Sequence, residues 1–389
     1  METRLLEKAK FKLGSEPNAW QAWFDDSDFN EVSLPHDWSV HMPFSKDYSS
    51  GTGYLAGGEG WYRIHISPEE SFKGKKLSLV FDGIYKNSRV WCNSYYLGER
   101  PNGYISFSYD ITDFFHFDDE NIISVYVDRR EIADSRWFTG SGITRKVTLK
   151  IEEQTHPKYN GIAFETPEVY EGVAICRIKS EWEVAASNKA RAIFKIKDKE
   201  GNVWDETEPL EIKPYFETAL KLVNPHLWSP KEPYLYTLET YTVDENEKMV
   251  LADSTKVGIR EFHFDPDEGF FLNGKSYKFK GVCLHHDAGV LGAAVLKEVW
   301  ARRLIKLKDM GCNAIRMSHN PHMPELYELC DEMGFFVMDE AFDEWEGPKN
   351  KWSTGHNVYP PKHEGYYVNF HTWAKQDLTG WLMLATIQS

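Results

Sequence analysis

The period of the apolar residues changes once along this chain, near Gly258. Before that point apolar and polar residues alternate in short runs broken by turn signals; beyond it, short apolar runs alternate with amphipathic helical stretches. A period of two marks half-buried strands, whereas strand–helix alternation with short links marks parallel βαβ units. The switch predicts a multidomain chain, all-β first and α/β after. Its 389 residues have room for about two to three domains.

The first section, residues 1–152, carries strand patterns at Gly60–Ile66, Lys76–Phe81, Ser88–Cys92, Ile122–Val127 and Lys146–Ile151. Ser67-Pro68, Asp82-Gly83 and Asn93 punctuate them, which predicts a sandwich or barrel. The second, 153–258, has strands at Val173–Ile178, Arg191–Ile196 and Leu235–Tyr241 with a hairpin turn at Lys199–Asn202. Its length fits an immunoglobulin-like sandwich without the Cys…Trp…Cys core. In the third, 259–389, strands are expected at Phe279–Leu284, Asn313–Met317 and Phe335–Asp339. Helices are expected at 293–310, with Leu296, Trp300, Leu304 and Leu307 on one stripe and Gly311 as terminator, at 323–333 before Gly334, and from Tyr366.

Composition narrows the function classes. The formal charge of −15 is the reverse of a nucleic-acid footprint. No apolar run reaches the roughly 18 residues of a membrane span, and the first residues lack the apolar core of a signal peptide. Five cysteines, Cys92, Cys176, Cys283, Cys312 and Cys330, are odd in number and widely spaced, as expected of reduced thiols in a cytoplasmic protein. The 14 Trp, 20 Tyr and 23 Phe exceed core needs and suit stacking on sugar rings. Trp61, Trp91, Tyr104 and Trp137 are the aromatics nominated for sugar, with core packing expected for at least half of them.

In parallel βαβ units the chemistry gathers at the carboxyl ends of the strands. Here the first strand ends in His285, His286 and Asp287, the second in Arg316, Ser318, His319 and Asn320, and the third in Asp339 and Glu340, with Asp343, Glu344 and Glu346 beyond. One cleft of histidines and carboxylates suits acid/base or carbohydrate chemistry. The spacings of zinc sites are missing. A looser divalent or sodium site at Asp343 or Glu344 is open beside the reading of a solvated acidic loop over 343–346.

Several segments together resemble bacterial family 2 glycoside hydrolases. They are Pro35-His-Asp-Trp38, Gly60-Trp-Tyr-Arg63, Val90-Trp-Cys-Asn93 with Leu97-Gly98, and Gly103-Tyr-Ile-Ser-Phe-Ser-Tyr-Asp-Ile-Thr112. Ser135-Arg-Trp-Phe-Thr-Gly-Ser-Gly-Ile-Thr-Arg145, Leu227-Trp-Ser-Pro230 and Pro233-Tyr-Leu-Tyr236 continue the series. Gly281-Val-Cys-Leu-His-His-Asp287, Asn313-Ala-Ile-Arg-Met-Ser-His-Asn-Pro321 and Val337-Met-Asp-Glu-Ala341 complete it. The resemblance runs in order to about residue 378 and is nearest the β-galactosidase branch, with β-glucuronidases and β-mannosidases behind. It implies a galactose-binding-like jelly roll, an immunoglobulin-like sandwich and the first three βα units of a TIM barrel.

The resemblance also implies roles. His285 and His319 would line the sugar subsite, Arg316 would anchor carboxylates, and Asp339, Asn320 and Asp287 would bond the sugar or orient neighbours. Relatives place a sugar-binding aspartate near Ser135 and Arg136, where this chain has Asp134 one step away. Glu344 falls where some relatives hold magnesium, but their histidine two places on is Glu346 here. No cofactor is required; magnesium or sodium stays an open reading. Composition alone nominates Asp339 and Glu344 as a catalytic pair, but the resemblance gives them supporting roles.

Retaining hydrolysis needs two carboxyl groups about 5 to 5.5 Å apart. The family supplies them from an Asn-Glu pair ending the fourth barrel strand and a glutamate ending the seventh. No Asn-Glu pair follows residue 341, and after Asp377-Leu378 the sequence departs from the relatives' arginine-rich continuation. The expectation is a truncated, frameshifted or replaced end and a chain inactive alone. A third strand left at an open edge would need a cover: the Trp381-Leu-Met-Leu384 tail, a second copy or a complementing chain. Three functions are thus carried forward: the N-terminal portion of a β-galactosidase-like hydrolase, a non-catalytic carbohydrate binder, and a fragment-complementing protein.

Overall fold

A computed structural model describes residues 2–130, 135–347 and 365–387. The first section forms two antiparallel sheets face to face. One has six strands in the order Asn30–Ser33, Lys8–Leu13, Gly58–Ile66, Asn121–Arg129, Ser88–Cys92, Tyr95–Arg100. The other has four, in the order Glu2–Leu5, Val147–Glu152, Lys76–Phe81, Phe107–Asp110. Alternation sends Tyr62, Ile64 and Ile66 inward to meet Leu77, Leu79 and Phe81 from the facing sheet.

On the outer side of the same strand Trp61 and Arg63 are also buried, because residues 14–29 fold back over them. Arg63 donates to the carbonyls of Ala19, Gln21, Ala22 and Phe24 and pairs with Asp26 at 2.7 Å. Trp61 joins Ala19 and Phe29 in a small second core against which Trp91 and Tyr126 pack. The nomination of Trp61 as a sugar-facing aromatic is therefore corrected.

The second section pairs two sheets of its own. One is His156–Tyr170, Val173–Glu183 and Tyr215–Val223; the other is Val203–Glu206, Arg191–Lys197, Tyr236–Val243 and Met249–Val257, with Leu210–Glu211 beside it. Phe164, Ile178, Trp182, Phe194 and Tyr236 fill the space between.

The third section begins the barrel. Gly281–Leu284, Ala314–Met317 and Phe336–Met338 pair in parallel, with helices Lys297–Asp309 and Pro324–Met333 between them. Gly311 and Gly334, both at positive φ, end those helices as expected. The first helix starts at Lys297 and not at 293. Leu296 is its N-cap and is exposed, while Trp300 and Leu304 carry the buried stripe. A three-stranded antiparallel sheet, Phe262–Asp265, Gly269–Leu272 and Lys275–Tyr277, precedes the barrel and escaped the sequence reading. Its Phe270 packs edge-on against Phe336 of the third parallel strand.

Among the described residues that third strand is a sheet edge, and Val337 and Met338 are exposed on it. Helix Tyr367–Ile387 brings Trp381 to its end, where the indole N–H donates to Asp339 Oδ2 at 2.6 Å. The side chains of 382–384 lie outside the described residues, so only Trp381 of the expected covering tail is placed.

Polar contacts from the jelly roll grip the barrel. Asp37 is buried; its Oδ1 accepts the N–H of Ser39 and of Ser141, and its Oδ2 accepts Ala293 N–H from the barrel at 2.9 Å. Gly140 and Gly292 crowd that carboxylate so closely that a Cβ at either would strike it. Arg145 donates to the carbonyls of Tyr104, Pro321 and His322. Lys146 pairs with Glu325. From the sandwich, Trp228 Nε1 donates to the Asp331 carbonyl at 2.9 Å.

Replacing Asp37 by Ala would leave three buried N–H donors unpaired, each worth about 1–3 kcal/mol. Asp37→Ala is expected to lower the denaturant midpoint and to expose the 288–296 segment to proteolysis before global unfolding. An unchanged midpoint and cleavage pattern would contradict this role.

Candidate functional site

The parallel strand ends meet a jelly-roll segment, and three rings close on one another there. Trp137, from the segment that begins at Ser135, lies 4.9 Å from His319 and 5.4 Å from His285 between ring centroids. The two histidines are 5.1 Å apart. Trp137 Nε1 donates to the Tyr104 hydroxyl at 3.0 Å, which fixes the indole plane. Of the four nominated aromatics, Tyr104 and Trp137 line a pocket at this junction, Trp61 is packed beneath the 14–29 segment, and Trp91 is half-buried against it.

Beneath the rings, Arg316 Nε donates to Glu340 Oε1 at 2.8 Å. Its Nη2 lies 3.3 Å from His319 Nδ1. A guanidinium can only donate, so in that contact His319 Nδ1 accepts, while Glu340 Oε2 lies 3.5 Å from the same nitrogen. Arg316 also donates to the Cys283 thiol at 3.6 Å, a neighbour the sequence reading did not assign. Strand alternation could have found it, since Cys283 and His285 share one face.

Burial pulls the pKa of both His285 and His319 below the ordinary imidazole value, with nearby Arg316 acting in the same direction. Both rings are therefore neutral at pH 7. Among the described residues His285 Nδ1 is buried with no hydrogen-bond partner.

The other expected site residues are placed as follows. Asn320 is buried, lines the same pocket as Trp137, and accepts at its carbonyl from His322 Nδ1. Asp287 accepts at its carbonyl from Arg303 at 2.6 Å, and its charge opposes the downward shift of His285. His286 diverges from His285, as adjacent residues should, into a core beside Trp300 and His322. Asp339 has both oxygens occupied by the protein: Oδ1 by the Tyr327 hydroxyl and Glu340 N–H, Oδ2 by Trp381. Burial raises its pKa. Asp134 lies outside the described residues; Ser135 is buried and donates to the Trp137 carbonyl.

The solvated-loop reading of 343–346 holds for only half of it. Asp343 and Glu344 are buried and line the pocket, whereas Trp345 and Glu346 are exposed. Asp343 faces Arg136 of the jelly roll at 3.7 Å, a partner more than 200 positions away that no local pattern announces.

Neutral histidines beside Trp137 carry a signature in solution. The difference in fluorescence between the protein and its Trp137→Phe variant is expected to fall, by imidazolium quenching, with a midpoint below pH 6.5. A midpoint at or above 6.5 would refute burial as the dominant influence. The sign for stability follows: the lowered folded pKa values contribute stability above about 6.5 that is lost as pH falls through them.

Family models for the glycosyl hydrolases family 2 match in order: the sugar binding domain over residues 8–152, the family 2 domain over 163–260, and the TIM barrel domain over 266–371. The chain is 41% identical over 383 residues to the beta-galactosidase BoGH2A of Bacteroides ovatus, covering 96% of this chain and 44% of that protein. It is 36% identical over 348 residues to a putative beta-glucuronidase of Formosa agariphila, covering 89% and 33%. A crystal structure of a beta-glycosidase from Bacteroides vulgatus superposes with a TM-score of 0.90 at 35% identity over 100% of this chain and 49% of that one. A family 2 member from Bacteroides cellulosilyticus also gives 0.90, at 33% identity, with 50% of that chain covered. The chain thus spans about half the length of the relatives it matches. Its ordered jelly roll, immunoglobulin-like sandwich and first barrel strands place it in glycoside hydrolase family 2.

Proposed function

We propose that this chain holds the glycone of a β-galactoside against Trp137, His285 and His319. In a polypeptide carrying the remaining barrel strands, that cleft would serve retaining hydrolysis. The observation that carries the reading is the triangle of rings itself, built from two domains. An indole offers an apolar face to a sugar ring, and neutral imidazoles can donate to and accept from hydroxyls.

A neutral glycone suits the electrostatics. Arg316 and Arg136 already face Glu340 and Asp343, so neither is committed to a sugar carboxylate. That favours a galactoside over a glucuronide, although relatives of both kinds are similar to this chain.

The described residues are proposed to orient and hold, and none of them is assigned to the carboxyl pair that protonates the leaving oxygen and attacks the anomeric carbon. The reading routes no step through a metal, and Arg136 beside Asp343 opposes a cation near Glu344. Five free cysteines are in keeping with a cytoplasmic location, and no described helix is long and apolar enough to cross a membrane. The exposed third-strand edge suits a complementing chain or a second copy.

Calorimetry is expected to show heat with galactose or a galactoside and none with glucuronate. Trp137→Ala and His319→Ala should each weaken binding at least about tenfold, or about 1.4 kcal/mol. Nitrophenyl β-galactoside should not be turned over. Heat with glucuronate alone would transfer the reading to a glucuronidase parent, and turnover lost on His285→Ala would refute the separation of binding from chemistry.

A further inference from the structure

The outer face of the six-stranded jelly-roll sheet is only half covered. Its register sets two rows of outward side chains across the strands. One row runs Lys12, Trp61, Tyr126, Arg89, Glu99. The next runs Lys10, Arg63, Ser124, Trp91, Tyr96, with a bulge between Val90 and Trp91 that brings Tyr96 opposite Trp91. Residues 14–29 roof the first two members of each row. In the far half Tyr96, Arg89 and Glu99 are exposed, while Trp91 and Tyr126 are half-buried against the small core under residues 14–29.

Ring contacts continue from the covered half to the open one. Trp61 lies 5.0 Å from Tyr126 and 5.5 Å from Trp91, and Trp91 lies 5.5 Å from Tyr96. Tyr96 is 52% exposed. Arg89 and Glu99 are exposed and paired at 3.5 Å. At the rim, the N–H of Ala22 donates to Ser94 Oγ at the turn joining the Trp91 and Tyr96 strands. The next residue, Trp23, is 75% exposed.

The chemistry of this strip selects its occupant. Aromatic faces stack on the C–H face of a pyranose, while guanidinium, carboxylate and phenol bond its hydroxyls. Single-stranded nucleic acid also stacks on aromatic platforms, but it needs a basic groove. This strip pairs its cation with an anion on a chain of net charge −15. Arg89 and Glu99 also interrupt the apolar surface, unlike the desolvated centre of a protein interface. Strands about 4.8 Å apart set the polar and aromatic groups at intervals along a line, which suits an extended chain over a single sugar.

We propose that this strip is a second glycan site, outside the cleft, holding a neutral polysaccharide chain across the strands through Tyr96, Trp91, Arg89 and Glu99, with Trp23 at its edge. It takes from the proposed function only the class of ligand, a glycan.

Affinity electrophoresis of the full chain in gels containing soluble β-1,4-galactan, hydroxyethyl cellulose or heparin tests it. Retardation by at least one neutral polysaccharide and none by heparin is expected. Tyr96→Ala, Arg89→Ala and Trp23→Ala change exposed side chains; the first two should raise the dissociation constant about fivefold or more, and the Trp23→Ala, Tyr96→Ala double variant should abolish retardation. Galactose heat in the cleft should survive all of them, and Trp137→Ala should remain retarded. Retardation lost in Trp137→Ala but kept in the strip variants, retardation by heparin alone, or none by either neutral polysaccharide would overturn the proposal. Absence of galactose heat with strip-dependent retardation intact would refute the cleft reading and leave this one standing.

Discussion

A buried carboxylate with backbone donors on every side ties the jelly roll to the barrel. Asp37 accepts from Ser39 and Ser141 of its own domain and from Ala293 of the barrel. Arg145 answers from the opposite sign, giving its protons to the Pro321 and His322 carbonyls. In both cases a charged side chain of one domain is satisfied by the main chain of the other. Such contacts register the domains regardless of side-chain rotamers nearby. Trp137 lies on the segment between these anchors, upstream of Ser141 and Arg145, so its indole is delivered to the two histidines by the domain docking itself.

Burial at this junction has a cost whose direction depends on the group. It raises the Asp37 pKa to about 6, so that group's contribution to folding is full below its unfolded value and is lost as pH rises through about 6. His322, wholly buried beside Arg145, is lowered to about 3, and its contribution is present above about 6.5 and lost as pH falls. The two trends oppose each other across the same interface. Neutral His286 and His322 pack edge to face beside Trp300, a core that tolerates imidazole only in its uncharged form.

How much could be read from sequence follows from where each residue's partners lie. The strands of both sandwiches and the parallel units were legible because period two and strand–helix alternation are local signals. His285, His319 and Arg316 were legible as a cluster because strand ends of a parallel sheet converge. Trp61 misled because its cover, the 14–29 segment, has no regular structure to announce it. Asp343 and Glu344 misled because acidic residues in a row read as solvated, and the jelly roll that buries them is distant in the chain. The first helix was started too early because 293–296 is held by Asp37 and turns before the helix begins, although the apolar spacing continues through it. The 262–277 sheet is illegible although Asn273-Gly274 is a hairpin signal, because its strands are only three or four residues long, too short to show a period.

The carboxylates at the strand ends are held by partners within the protein. A general acid must present a carboxyl free to hand its proton to the leaving oxygen, within hydrogen-bond reach of it. Asp339 is bonded by Tyr327, Trp381 and the Glu340 N–H; Glu340 is bound by Arg316; Asp343 faces Arg136. Each is engaged in holding the site's shape. The indole of Trp137 and the neutral imidazoles of His285 and His319 meet beside them, and under the proposed function they would recognise a sugar without protonating it. The docking of the first barrel units to the jelly roll through Asp37 is therefore what sets the geometry of the three rings.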